Sequence, residues 1–331
     1  MSAPLRLGTR RSALATAQSQ QIADALAAAS GRVVELVPIT SEGDVSRASL
    51  SELGGRGVFA TRLREALLAG ECDLLVHSLK DLPTADAPGL VIAATPVRED
   101  ARDVVVTRDG TPLHDLAPGA LVGTGSPRRV AQVLRHNPRV RVQDLRGNVD
   151  SRLGRVRDGE LDAVVLAAAG LVRLGGDLGG LVGEAVGLRE WPTAPGQGAL
   201  AVETTEDAPS DLRDALARLD DEATRIAVTA ERAVLAGLDA GCSAPVGVHA
   251  EVAGGDLRVR ALVYALDGRR RVGIDRTRAL TPGYASNGSG NGADAADGAD
   301  PIARAARTGA EIARRLLERG AADLVPREST P

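Results

Sequence analysis

The sequence predicts an α/β protein with two similar doubly wound domains around a cleft, followed by a smaller α+β domain with a three-stranded antiparallel sheet. Three observations carry this. Apolar strand-like runs alternate with helical stretches through roughly the first two hundred residues, the pattern of buried parallel sheets covered by helices. The pattern restarts near residue 120 with the same punctuation. The last third then changes to alternating strands divided by Gly-containing turns.

In order, "LRLGT" (5–9) leads into a helix from Ser12 to about Ala29, then "VVELVPI" (33–39), a helix from about Val58 to Ala69, and "DLLVHS" (73–78). Such continuous apolar runs indicate parallel strands buried on both faces. The second series is "ALVGTGS" (120–126), a helix from Pro127 to His136, "RVRVQDL" (139–145), a helix from about Val149, and "DAVVLAA" (162–168). Each series opens on a strand ending in Gly-Thr before a basic helix start, "LGTRRS" against "VGTGSPRR". Each also carries Gly-Glu-x-Asp before its last strand, at Gly70 to Asp73 and at Gly159 to Asp162. Ligands of a doubly wound fold sit at the C-terminal ends of its strands. "TAPGQGALAVE" (193–203) reads as a turn entering a strand that crosses back between domains. A helix from about Ala223 to Leu238 precedes "VGVHAEV", "LRVRALVYAL" and "RRVGIDRTRAL", and one from about Ile302 to Arg319 closes the chain. Between them, 281–301 is rich in Gly, Ala, Asp and Asn and reads as a mobile loop without catalytic content.

Composition narrows the function. At 331 residues, 44% hydrophobic and 25% charged, the chain has room for two or three domains. Phe59, Trp191, Tyr264 and Tyr284 are its only aromatics, so the core is aliphatic and base-stacking platforms are not expected. "MSAPLRLGTRRS" has no apolar signal region and no run approaches the ~20 residues of a membrane span, so a cytosolic protein is expected. Two cysteines, Cys72 and Cys242, are too few for a disulfide framework or zinc cluster, and the four histidines show no ligand spacing. Of the 40 basic residues only Lys80 is a lysine, a compact ammonium among planar guanidinium forks.

Chemistry concentrates in a few stretches. Leu121 to Glu160 holds nine Arg against four acidic residues in a chain of net charge −4. A solvated basic face would give the same count. However, Arg10, Arg128, Arg129 and Arg146 follow predicted strands, where helix N-termini add N–H donors and arginine forks match carboxylates. In "HSLKDLP" (77–83) each polar residue alone suits a cap or turn, yet together they place Asp81 for proton transfer and Lys80 beside an anion. "LGGRGVFATRL" lacks the spacing of a phosphate loop and "GTGSPRR" that of a dinucleotide fingerprint. Cys72 starts an apolar strand and reads as a small buried residue, whereas Cys242 lies in the small-residue loop "LDAGCSAPVG". Asp239 and the preceding helix end would raise the Cys242 pKa, which suits a thiol alkylated once better than one used at every turnover.

From Leu5 to about Leu266 the chain resembles the hydroxymethylbilane synthase (porphobilinogen deaminase) family. The blocks that carry the resemblance are "GTRRSALATAQ", "TSEGD", "GGRGVFATRL", "DLLVHSLKDLP", "GTGSPRR", "LRGNVDSRL", "AAAGLVRLG", "PGQGA" and "AGCSAPVG". The resemblance implies two periplasmic-binding-protein-like domains, 1–97 with 198–218 and 98–197, and a third, 219–331, that carries the cofactor cysteine. It also implies head-to-tail condensation of four porphobilinogen molecules with loss of ammonia, on a dipyrromethane cofactor held by a thioether to Cys242. Asp81 matches the catalytic carboxylate, assisting ammonia loss and steadying the azafulvene-like cation. Lys80, Thr124, Ser126, Arg128, Arg129, Arg146 and Gly147, with Asp81, match cofactor contacts. Arg10, Ser12, Arg152, Arg173, Phe59 and Gln197 match substrate contacts. The implied partner is porphobilinogen, with no nucleic acid or membrane, and a monomer is expected.

Three positions depart from the family pattern: Gly125 replaces a hydroxyl residue, Val172 a basic one, and Glu42 is acidic where some relatives are basic. Two rivals share parts of the pattern. A hinge-type carboxylate or anion-binding module would also have two matched domains around a basic cleft. A nucleic-acid binder could use the 121–160 arginines, but aromatic scarcity and the acidic balance oppose it.

Overall fold

In a computed structural model, residues 3–40, 58–241, 244–280 and 300–324 are described, the side chains of 58 and 59 excepted. Cys242, the Phe59 side chain, Glu42 and nearly all of the 281–301 stretch therefore lie outside the described residues.

The first unit runs β1 (Leu5–Thr9), α1 (Ala13–Ser30), β2 (Val34–Pro38), α2 (Val58–Leu68), β3 (Leu74–Ser78) and β4 (Leu90–Ala94). The second runs β5 (Asp103–Thr107), β6 (Leu121–Gly123), α3 (Pro127–His136), β7 (Arg141–Gln143), α4 (Val149–Arg157), β8 (Ala163–Ala167), α5 (Ala168–Arg173) and β9 (Val182–Ala185). The chain then returns through β10 (Leu200–Thr205) and α6 (Ser210–Ala217) to the first sheet. The sheet orders are β2-β1-β3-β10-β4 and β7-β6-β8-β5-β9, the same topology twice. Their cores are almost wholly aliphatic, with Leu7, Leu26, Leu74 and Val202 in one and Val106, Leu145, Val156 and Val164 in the other.

The duplicated Gly-Glu-x-Asp has a structural reason. Asp73 accepts from the Arg6 amide at 2.7 Å and Asp162 from the Leu121 amide at 2.8 Å. Each carboxylate thus satisfies a backbone donor at the start of the neighbouring strand, in β1 or next to it in β6.

The six strands read as parallel pair in parallel within their two sheets. Two further strands run the other way: β10 is antiparallel to β3 and β4, and β5 antiparallel to β8 and β9. These two strands are reached by crossing from the other domain, so they enter their sheets from the opposite end. One strand expectation is corrected: not every strand is buried on both faces. β2 is an edge strand with half-exposed side chains, and its last residue, Pro38, has no amide to donate to a further neighbour. The pattern also missed β4, β5, β9, α5 and α6, all short.

The third unit packs α7 (Glu222–Gly237) and α8 (Pro301–Glu318) on an antiparallel sheet of β11 (Val246–Ala253), β12 (Asp256–Tyr264) and β13 (Arg271–Ala279). Ala230, Val234, Val248, Val259, Ile312 and Leu316 form its dry interior. Gly309 lets α8 approach α7 closely, since a Cβ there would meet the Ala230 carbonyl.

The crossovers and the third unit meet at one buried carboxylate. Glu231 on α7 is fully buried and accepts from Arg98 Nη1 at 2.7 Å and Nη2 at 3.1 Å, from the Gly196 amide at 2.6 Å and from the Ala250 amide at 2.7 Å. Arg98 lies on the first crossover and Gly196 on the second. Gly198 has φ +89°, and a Cβ there would strike the Glu99 carbonyl, so only glycine lets the two crossovers lie side by side.

Candidate active site

The candidate residues gather where the strand ends, the crossovers and α7 converge. β3 ends at Ser78, and a short 3-10 turn, Leu79–Asp81, presents Lys80 and Asp81. From α7, Arg232 donates to the carbonyls of Leu82 at 3.1 Å and Pro83 at 2.6 Å, fixing the chain just beyond Asp81. Glu231 and Arg232 are adjacent on the helix whose end lies five residues before Cys242. One helix thus ties the cysteine-bearing segment to both the crossovers and the Asp81 turn. A small open groove runs between Leu82 to Ala85 and the stretch Leu235 to Gly241.

Across the cleft, α3 begins directly after β6, as α1 begins directly after β1. Ser12 caps α1 by accepting from the Ala15 amide. Ser126, at the same place in α3, makes no side-chain capping bond, so its hydroxyl and the first-turn amides remain as donors. Thr124 is buried and accepts from the Ser126 amide at 3.2 Å. At the next helix start, Asn148 caps α4 and Arg152 donates to the Gly147 carbonyl at 2.9 Å. Gly147 has φ +103°, and a side chain there would collide with the Ser151 hydroxyl.

The arginine pair is organised by a residue that sequence reasoning passed over. Asp103, fully buried at the start of β5, accepts on Oδ2 from Arg128 Nη1 at 2.7 Å and Trp191 Nε1 at 2.8 Å. Its Oδ1 accepts from Arg129 Nη2 at 2.6 Å and Gln197 Nε2 at 2.8 Å. Burial alone would raise the Asp103 pKa, but Arg128 and Arg129 hold it far below the usual carboxylate range. The available signal was a charged residue opening the otherwise apolar strand "DVVVT".

Asp81 stands in contrast. It is exposed, and among the described residues no arginine or lysine lies within ion-pair distance of its carboxylate. Lys80 is partly buried, with Nζ 3.4 Å from Gln197 Oε1. Burial lowers it to about 8, with Arg129 and Arg128 pushing the same way and Asp81 and Asp103 opposing. Gln197 is buried and spans from Lys80 to Asp103 and the Ala101 carbonyl, so it acts through those groups.

Further arginines crowd the same region. The pKa of Arg152 is lowered by burial and by repulsion from Arg129 and Arg146, and that of Arg173 by burial, with Glu99 opposing. Arg173 donates to the Gly198 carbonyl at 2.7 Å. Arg146 and Gly147 are exposed, and Arg10 is partly buried just after β1. Buried Nε atoms of Arg128, Arg129 and Arg173 have no hydrogen-bond partner among the described residues. Arginines close enough to repel one another, as Arg129, Arg146 and Arg152 do, suit an anionic ligand. Gly125 has a packing reason: a Cβ there would lie 2.8 Å from the Leu145 carbonyl and 3.1 Å from Asp144 Oδ1. Val172 is exposed. Among the described residues no group of three or more His, Cys, Asp or Glu could hold a metal, and no helix is long and apolar enough to cross a membrane.

Two duplicated α/β domains, a cluster of arginines suited to anions and an appended α+β domain define the class of protein. The chain belongs to the porphobilinogen deaminase family. The family model described as porphobilinogen deaminase, dipyromethane cofactor binding domain, matches residues 5–212, and that of the C-terminal domain matches 225–283. The porphobilinogen deaminase of Leifsonia xyli subsp. xyli is 52% identical over 326 residues, covering 97% of this chain and 94% of that one. Porphobilinogen deaminase 1 of Streptomyces coelicolor is 50% identical over 333 residues, covering 97% of each. Among solved structures, the VFT2 domain of Bordetella pertussis BvgS aligns at 17% identity and a TM-score of 0.41, covering 65% of this chain and 85% of that one. So low a score adds nothing to the strand order. Family membership does not favour the binding-module reading.

Proposed function

We propose that Asp81 is the catalytic carboxylate, and Cys242 the cofactor's attachment point, in an enzyme that condenses four porphobilinogen molecules head to tail, releasing ammonia and forming hydroxymethylbilane. The enzyme is a transferase of tetrapyrrole biosynthesis and uses a dipyrromethane cofactor. The observation that carries the assignment of roles is the division between two carboxylates: Asp103 anchors Arg128 and Arg129 in the interior, whereas exposed Asp81 has no ion-pair partner among the described residues.

The residues present fit such a cofactor. Four carboxylates need several cationic donors, and Arg128, Arg129, Arg146 and Lys80, with Ser126, Thr124 and the Gly147 turn, would hold them. When bound, the dipyrromethane supplies the pyrrole end from which the product chain is extended. Arg10, Ser12, Arg152 and Arg173 would orient the acetate and propionate arms of the incoming substrate, with Gln197 keeping Lys80 in place. Asp81 lies where it can assist departure of ammonia, stabilise the positive charge that develops on the substrate pyrrole, and accept the proton released after carbon–carbon bond formation. Its exposure matters, because a carboxylate already paired with arginine would offer little to a developing cation.

The domain division at 1–97 with 198–218, 98–197 and 219–331 fits the strand orders, with the crossovers as hinges. A monomer in the cytoplasm, with no nucleic-acid or membrane partner, accords with this reading. An intact mass spectrum tests it. The protein should exceed its sequence mass by two linked pyrrole units, on the peptide containing Cys242, and Cys242→Ser should lack the excess. An active protein of unmodified mass would overturn the assignment.

A further inference from the structure

The chain has four aromatic residues, and two of them, Trp191 and Tyr264, direct their polar atoms into the network that holds the arginine pair. From Asp103 the network continues outward. Arg128 Nη1 donates to Gln132 Oε1 at 2.7 Å as well as to Asp103. Gln132 Nε2 in turn donates to the Pro192 carbonyl at 2.9 Å and to Tyr264 Oη at 3.2 Å. All of these side chains are buried, Gln132, Asp103, Trp191 and Tyr264 completely.

Tyr264 ends β12, in the third domain, whereas Gln132 and Arg128 lie one turn apart on α3. The contact between these elements is close. Tyr264 and Leu262 pack with Ala131, and a Cβ on Gly268 would strike the Ala131 carbonyl. Gln132 has no rotational freedom to spare, since its oxygen faces Arg128 and its nitrogen two acceptors. An arginine that shares its carboxylate with a second arginine needs another acceptor to hold one orientation, and Gln132 provides it.

We infer that Gln132 and Tyr264 are positioning residues for Arg128, so that the domain carrying Cys242 also sets the orientation of the arginine pair on the opposite wall. The inference rests on the reading that Arg128 serves cofactor carboxylates. Its consequence is that the seating of the cofactor depends on a tyrosine that does not belong to the cleft-forming domains.

The test compares Gln132→Met, Tyr264→Phe and the double variant, with Arg128→Gln as reference, by kcat/KM for porphobilinogen and by the fraction of protein that carries the mass excess of two linked pyrrole units. Gln132→Met should lower kcat/KM about tenfold, the scale of a lost hydrogen bond to a charged group. Tyr264→Phe should lower it by less, and the double variant should match Gln132→Met alone, because the tyrosine acts through the glutamine. Trp191, the only tryptophan, shares Asp103 Oδ2 with Arg128, so its emission should shift in Gln132→Met even without substrate. Unchanged kcat/KM and emission in both single variants, or effects that simply multiply in the double, would overturn the inference. Full mass excess and normal kcat/KM in Arg128→Gln would instead overturn the cofactor reading beneath it.

Discussion

Arg98 and Glu231 form a buried two-pronged ion pair that joins the first crossover to α7 of the third domain. Glu231 accepts two backbone amides as well, one from the second crossover and one from β11. The three domains thus converge on one carboxylate, although Arg98, Gly196 and Ala250 lie 133, 35 and 19 residues from it in sequence. Replacing it with alanine leaves Arg98 buried without its counter-charge and two amides without acceptors. Glu231→Ala should lose about 3–5 kcal/mol of stability, read from denaturant midpoints. Loss below about 1 kcal/mol would show that the junction tolerates the gap.

Asp81 is exposed, so its truncation leaves no buried cavity. Asp81→Ala should therefore keep wild-type stability within about 0.5 kcal/mol and retain the mass excess on the Cys242 peptide. Its turnover should fall roughly a hundred- to ten-thousand-fold, the usual worth of a positioned acid or base. Near-normal product formation would remove Asp81 from the catalytic role.

Lys80 carries its charge below pH about 8 and loses it above. Carboxylate binding in the cleft should weaken as pH rises through that value, and Lys80→Arg should flatten the dependence because a guanidinium stays charged. The stability sign is opposite. Between pH about 8 and the ordinary lysine value of 10.5, the unfolded chain holds a proton that the folded one has released, so folding gains stability as pH rises. Equal pH profiles of KM in wild type and Lys80→Arg would refute the assignment.

Gly125 shows how a local departure is compensated. Restoring a hydroxyl residue there places Cβ against the Leu145 carbonyl, which must move. Gly125→Ser should lower stability by about 1–3 kcal/mol, as overpacking does, and leave KM no better than wild type. A tighter KM at unchanged melting temperature would show that the 144–146 segment yields freely.

Much of the architecture was legible because it rests on local pattern. Ser12 before an apolar helix, Pro127 at the first helical position and the paired Gly-Glu-x-Asp stretches each act within a few residues or on the adjoining strand. The short elements were not legible: β9, for example, is four exposed residues with no apolar alternation to betray it. The antiparallel course of β5 and β10 was also hidden, since strand direction depends on which domain the chain arrives from.

The sequence by itself determined the chemical inventory: one lysine beside an aspartate at a strand end, arginines at helix starts, and a cysteine among small residues. Only the tertiary structure decided which acid neutralises which base. Asp103 lies 25 residues from Arg128 and Glu231 lies 133 from Arg98, separations over which no local periodicity carries information. A carboxylate's role follows from its surroundings. Burial among four donors makes Asp103 a fixed anchor, whereas Asp81 is exposed and has no ion-pair partner among the described residues, as the proposed reaction needs.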